Sequence, residues 1–344
     1  MNSAESHRDA GGVDEPALLA GDIGGTKTVL AVFSDRLDVR KPLAQSVFSS
    51  AKFPSLEAMV REFLHDTGSR VQRASFGVAG PVVDGTARVT NLPWVMDEKR
   101  LSDSLSIPRV TLLNDLEAIA HGVPYLEAKD THSLNTGRAI EDGTLAVVAP
   151  GTGLGEGFLT WEGRRYRVHA SEGGHADFAP VDELQLELLR YLLARDEHVS
   201  YERVCSGIGI PNIFAFLRDR GKDEVPGDLA QNVDSASDPT PVIVQAGLAS
   251  EHGICASTLD IFVAILGAEA GNMALKVMAT GGVYLGGGIP PRVLKLLQKP
   301  RFMESFLSKG RFNSLLRDIP VHVILHPQIA LLGAAYHGLE VVQD

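Results

Sequence analysis

Two stretches half a chain apart follow one plan. Leu18–Phe33 reads Leu-Leu-Ala-Gly-Asp-Ile-Gly-Gly-Thr-Lys-Thr-Val-Leu-Ala-Val-Phe, and Leu145–Trp161 reads Leu-Ala-Val-Val-Ala-Pro-Gly-Thr-Gly-Leu-Gly-Glu-Gly-Phe-Leu-Thr-Trp. In each, a short apolar run, a glycine-rich tip and a second apolar run predict a β-hairpin. Gly24-Gly25 is expected to supply the positive φ of a tight turn. The repeat divides the chain into two units built alike, each opening with antiparallel strands. The 344 residues, 44% hydrophobic and 22% charged, suit two globular domains with ample core.

Each tip has a structural and a chemical reading. As structure it is a glycine turn. As chemistry, successive N–H groups without side chains form a concavity that a phosphate can approach closely. Asp22, Gly24, Gly25, Thr26 and Lys27 make up the first candidate, and Gly151, Thr152 and Gly153 the second. Two such tips facing each other across a cleft would surround one polyphosphate. A P-loop is excluded, since Thr26 rather than glycine precedes Lys27 and a strand follows instead of a helix. The dinucleotide fingerprint, which also needs strand, turn and helix, is excluded likewise.

Along the rest of the chain, Leu43–Ser49 reads as a strand, and Ser55 caps a helix carrying Leu56, Met59, Val60, Phe63 and Leu64 on one face, with Gly68 at its end. Strands are expected at Ala74–Val78, Arg109–Leu113, Arg165–Ala170, Gly282–Leu285 and Val321–Leu325. Helices are expected at Glu98–Leu105, Leu116–His121, Asn212–Leu217, Ser257–Met278 and Ile329–Leu339, with further helices around Leu184–Leu193 and from Arg292. Arg218–Thr240 is polar and reads as a surface excursion. Residues 1–16 read as a disordered polar extension. The net charge of −11 argues against a general nucleic-acid binder. Cys205 and Cys255 have no metal or redox spacing, which favours a reducing cytoplasm. No apolar run is expected to be long enough to span a membrane.

Three further constellations have chemical readings. Asn114-Asp115 ends a strand and starts a helix: as structure an N-cap, as chemistry a carboxylate at the crevice end of a sheet, placed to take a proton from a hydroxyl. Glu172, His175 and Glu202 suit a polyhydroxyl ligand, because ionised carboxylates accept from sugar hydroxyls and an imidazole can donate. Loop carboxylates in solvent are the alternative, and the Glu-Gly-Gly-His spacing matches no zinc pattern. Gly286-Gly287-Gly288, between strand and helix, is either a sharp turn or a surface for a flat group such as adenine.

Asp22–Thr26, Ala149–Gly155 and Gly282–Pro291 resemble the phosphate and adenosine segments of the actin/hexokinase/Hsp70-type ATPases. Leu112–Asp115, Ser171-Glu172-Gly173-Gly174-His175-Ala176-Asp177-Phe178, Tyr201–Gly207 and Gly310-Arg311-Phe312 resemble bacterial glucokinases of the enterobacterial type. This resemblance implies an α/β, two-domain actin-like (ribonuclease H-like) fold, with duplicated three-strand-plus-helices units around a central cleft. Residues 17–124, completed by 325–344, would form a small domain, and 125–324 a large one.

The implied activity is ATP- and Mg²⁺-dependent phosphorylation of glucose at its 6-hydroxyl, the first step of glycolysis, by a cytoplasmic homodimer without structural zinc. Asp115 would be the base. Asn114, Asp115, Glu172, His175 and Glu202 would hold the sugar. Asp22, Gly24, Gly25, Thr26, Lys27, Gly151, Thr152, Gly153, Gly287 and Gly288 would surround the nucleotide, with Asp22 acting indirectly on Mg²⁺. A kinase for another hexose or N-acetylated sugar, or a sugar-sensing regulator, are the alternatives. Because the implied residues are split between the two halves, closure on glucose is expected, hinged near Gly122-Val123-Pro124 and His326-Pro327.

Overall fold

The computed structural model describes residues 17–34, 39–89, 92–221, 225–249 and 253–340. The expected disorder of residues 1–16 falls outside them. The chain forms two compact units, one comprising the described residues up to Ala118 together with those from Ala330 onward, the other Ile119–Ile329. The division falls inside the helix Asp115–Gly122 and at the start of the helix Ile329–Glu340.

The first unit contains β1 (Ala17–Ile23), β2 (Lys27–Ser34), β3 (Ala44–Ser49), β4 (Arg73–Val78), β5 (Val82–Val83), β6 (Thr86–Arg88), β7 (Val95–Asp97) and β8 (Arg109–Asn114). Its main sheet has the order β3-β2-β1-β4-β8, while β5, β6 and β7 form a small antiparallel sheet. The first three strands of the main sheet are antiparallel, and β1, β4 and β8 run parallel. β1 is apolar on both faces and buried almost throughout, as a strand covered on both sides must be. β3 alternates between half-buried and exposed residues, which suits an edge.

The helix Leu56–Thr67 connects β3 to β4. The Ser55 hydroxyl accepts from the Ala58 N–H at 3.3 Å, and Gly68 ends the helix at φ 63°. Met59, Val60 and Phe63 face the sheet and are buried. The C-terminal helix joins this unit by close approach: a Cβ on Gly338 would stand 2.6 Å from Leu18 Cδ1, and Arg73 donates to the Gly338 carbonyl at 3.1 Å.

The second unit repeats the plan with β9 (Thr131–Ser133), β10 (Leu145–Pro150), β11 (Leu154–Trp161), β12 (Tyr166–Ser171), β13 (Gly282–Leu285) and β14 (Val321–Ile324). The order is β12-β11-β10-β13-β14-β9. Again three antiparallel strands continue into parallel ones, with β9 added antiparallel at the far edge. The repeated hairpin is therefore a repeat of topology.

The helix Gly253–Val277 corrects one expectation. Its 25 residues include a window of mean hydropathy 1.6, long and apolar enough to cross a membrane by composition alone. That window is 78% buried inside the protein. Leu259, Phe262, Ile265 and Leu266 are fully enclosed, so protein packing meets the apolar demand. A second correction concerns Arg218–Thr240, which contains the helix Gly227–Ser235. Leu229 and Val233, four residues apart, are buried on its one apolar face. Two residues are too short a stripe to show a period. The helix expected from Arg292 spans Leu294–Leu297.

Phe63 is fully buried, with Phe48 edge-on to it at 6.1 Å between ring centroids. Phe63→Ala is expected to lower the opening free energy of β1 and β4 amides by about 3–5 kcal/mol in hydrogen exchange. Unchanged protection there would contradict this core assignment.

Candidate active site

In the first unit, strand register sets the positions of the acids. Ile23 pairs with Val78 and Val78 with Asn114, so β1, β4 and β8 end level with one another. Asp22 lies one residue before the end of β1, and Asp115 opens the helix after β8. Gly77 makes the close packing possible, because a Cβ there would stand 2.7 Å from the Ala118 Cβ of that helix. Asn114 is heavily engaged. Its Nδ2 donates to the Gly80 carbonyl at 2.9 Å, and its Oδ1 accepts from the Leu116 N–H at 2.9 Å. Asp115 Oδ1 accepts from the same N–H at 2.9 Å. The capping and chemical readings thus coexist, with Asn114 tying two strand ends to the helix start while Asp115 is exposed.

Asp22 is partly buried. Burial first, and the negative charge of Asp115 second, push its carboxyl up to about 6, with Lys27 partly opposing them. Two carboxylates close enough to repel are a donor set suited to a divalent cation.

The first tip is braced from below by Ser50, a residue that sequence reasoning missed. Its hydroxyl donates to the Gly24 carbonyl at 2.7 Å and contacts the Thr28 hydroxyl at 3.0 Å. Its N–H donates to the Thr26 carbonyl at 3.0 Å. Gly24 and Gly25 do not adopt positive φ, contrary to expectation. Gly24 is needed for space instead: a Cβ would stand 2.8 Å from the Lys27 carbonyl oxygen, which accepts the Gly24 N–H at 3.1 Å. Thr26 and Lys27 are exposed.

In the second unit, the Gly151 N–H donates to the Gly153 carbonyl at 2.8 Å, closing the tip on itself. The carbonyls of Gly151 and Thr152 accept from the Gly207 and Ile208 N–H groups at 2.8 and 3.3 Å. Glu202 reaches the same tip, its Oε2 accepting from the Leu154 N–H at 2.9 Å and lying against Gly153. A predicted sugar residue and a predicted phosphate tip are thus joined by one hydrogen bond. Ser206, also missed, accepts from the Ile208 and Gly209 N–H groups and donates to the Glu202 carbonyl at 2.6 Å, fixing the turn beneath.

Glu172 precedes and His175 ends the 3-10 turn Gly173–His175, where Gly174 packs against the Leu154 carbonyl. Their side chains are 84% and 60% exposed, 4.0 Å apart, with imidazole and carboxylate facing each other. Backbone pairing of Ala176 with Tyr201 and of Phe178 with Val199 brings this loop beside Glu202.

Past β13, Gly287 turns at φ 77°, and a Cβ on it would stand 2.5 Å from the Pro150 carbonyl oxygen. Gly288 faces open space. The glycine run therefore docks onto the end of β10, next to the second tip. Among the described residues, no three His, Cys, Asp or Glu side chains cluster as a metal set.

The family model described as Glucokinase matches residues 19–340. The glucokinase of Nostoc punctiforme is 42% identical over 333 residues, covering 92% of this chain and 97% of that protein. A glucokinase from an Antarctic psychrotroph superimposes with a TM-score of 0.82 at 32% identity, covering 94% of this chain and 99% of that one. A ROK family glucokinase from Streptomyces griseus, solved with glucose and AMPPNP, shares the fold at a TM-score of 0.64 and 19% identity, over 94% of this chain and 99% of that one.

Asp22 gives a pH prediction with a definite sign. Its folded carboxyl, at about 6, lies above its ordinary value of 3.8, so the folded state binds more protons and loses stability as pH rises between these values. Asp22→Asn is expected to melt with the wild type below this window and above it at higher pH. Parallel melting curves across the window would contradict the assignment.

Proposed function

This chain belongs to the glucokinase family, and we propose that it transfers the γ-phosphoryl group of ATP to the 6-hydroxyl of glucose. The observation that carries the reading is the pair of acids at the carboxyl end of the first sheet. One carboxylate, Asp115, is exposed at a helix start, and another, Asp22, is held beside it with a raised pKa. Asp115 accepts the proton of the 6-hydroxyl as that oxygen bonds to phosphorus. The bond between phosphorus and the bridging oxygen breaks, and the electron pair leaves with ADP. Positioning and electrostatics supply most of the acceleration.

Asp22 is the residue that would hold magnesium bound with the nucleotide, and the ion would neutralise phosphate charge there. Gly24, Gly25, Thr26, Lys27, Gly151, Thr152 and Gly153 serve the phosphates, and Gly287 and Gly288 the adenosine. Asn114, Glu172, His175 and Glu202 hold the sugar hydroxyls. We further propose a homodimer, on the family resemblance, and a cytoplasmic location, which the two buried, unpaired thiols of Cys205 and Cys255 suit.

Asp115→Asn is expected to lower kcat by on the order of 10²–10⁴ while glucose affinity stays within several-fold. Near-normal turnover would reduce Asp115 to a helix cap. Glu172→Gln and His175→Ala are expected to weaken glucose in KM by about 1–3 kcal/mol each and to spare the KM of ATP. Equal effects on both substrates would assign these side chains elsewhere. A kcat/KM panel of glucose, mannose, fructose, galactose and N-acetylglucosamine with ATP tests the substrate, with glucose expected first; preference for another sugar would overturn that choice.

A further inference from the structure

Beneath the loop that carries Glu172 and His175 lies a second set of acids that the reaction does not use. Glu156, on β11, is only 1% exposed, and neither of its carboxyl oxygens has a hydrogen-bond partner. Glu269, on the long helix, is fully buried and is the acid that faces it. The position of Glu156 is fixed from both sides. Its backbone pairs with Ser171, its Oε2 lies against Gly173, and the Ser171 hydroxyl accepts the Gly173 N–H at 3.0 Å. Glu269 is richly bonded, with Oε2 accepting from Asn272 at 2.8 Å and Oε1 from Lys276 at 3.2 Å. Asn272 also donates to the Tyr201 hydroxyl at 2.9 Å. Tyr201 precedes Glu202, so both arms of the proposed sugar site, Glu172–His175 and Glu202, rest on one buried cluster.

Charge decides what this cluster holds. Two ionised carboxylates face each other without any donor between them, and burial makes their repulsion severe. Lys276 brings one positive charge. A single proton on Glu156 balances the set, since Glu156 is then neutral and donates to an ionised Glu269 paired with Lys276. It also gives one of the two orphaned Glu156 oxygens the partner it lacks.

We propose that Glu156 and Glu269 share one proton, and that this pair positions the Glu172–His175 loop and thereby sets affinity for the sugar. The proposal rests on the reading of Glu172 and His175 as sugar residues. When the proton is lost, Glu156 is repelled from Glu269, and the backbone it meets on the other side is Gly173. The loop then shifts and sugar binding weakens, while the nucleotide tips stay intact.

The groups that face the pair agree on the direction. Burial first, and Glu269 second, push the Glu156 carboxyl far above the usual carboxylate range, with Lys276 opposing them. Burial and Glu269 likewise push the Tyr201 hydroxyl up, and burial with both acids raises the Cys205 thiol. Lys309 approaches the same cluster, its ammonium pulled down by burial first, with Glu269 opposing and Lys276 adding to the shift. Among the described residues, the one ion pair to either acid is that of Lys276.

The test uses the full-length enzyme. In the wild type, KM for glucose is expected to rise at alkaline pH while KM for ATP stays level. Glu156→Gln places an N–H where the proton sits, so it is expected to keep the neutral-pH glucose KM within about twofold and to flatten that rise. Glu156→Ala leaves Glu269 without the donor and is expected to raise glucose KM about tenfold at all pH values. An infrared difference spectrum of wild type minus Glu156→Gln is expected to show a protonated carboxylic acid band at neutral pH. Absence of that band, or parallel pH profiles for wild type and Glu156→Gln, would overturn the proposal, and these readings need no assumption that the variant is fully active. If Glu172→Gln leaves glucose KM unchanged while the band is present, the reading of the sugar loop fails and the proton pair stands.

Discussion

The arrangement at the active end of the first sheet depends on holding two like charges together. Asp22 lies near the end of one strand and Asp115 just past the end of another that parallel pairing brings level with it, and burial first, then the charge of Asp115, raise the Asp22 carboxyl. Left to themselves, two carboxylates would separate. They are kept close by backbone that has nowhere to move: Asn114 bonded to Gly80 and Leu116, Gly77 packed on Ala118, and the first tip held by Ser50.

The second unit handles acids in three ways, each set by environment. Glu172 is largely in water and keeps an ordinary carboxylate's freedom to accept from a ligand. Glu202 is tied to the Leu154 N–H, so moving it would also move the second tip. Glu156 is enclosed with Glu269, and burial together with that second acid favours its protonated form. The order runs from surface to core along one loop system, and the buried members determine where the exposed ones stand.

Much of this was legible in the sequence where the signal is local. Ser55 and Gly68 mark the helix ends, Gly282–Leu285 is a strand at those limits, and the repeated hairpin announced two sheets of like topology. Asn114, Asp115, Glu172, His175 and Glu202 stand out by residue type inside glycine-rich or strand-end settings. Ser50 was not legible, since its partners Gly24 and Thr28 lie more than twenty residues away and a serine after a strand has no distinctive pattern. Glu269 was hidden in an apolar helix, where one acid reads as an interruption, and its partner Glu156 comes from a strand far off in sequence. The role of Gly24 was misjudged for a related reason: its constraint is a neighbour's carbonyl, not its own φ.

The proposed reaction is a single phosphoryl transfer from ATP to the 6-hydroxyl of glucose. Phosphorus and carbon NMR of the products from carbon-13-labelled glucose, ATP and magnesium reads the outcome directly. One new phosphate ester is expected, with phosphorus coupling at carbon 6 of glucose and equimolar ADP. ADP with free phosphate alone, or an ester at another carbon, would contradict it.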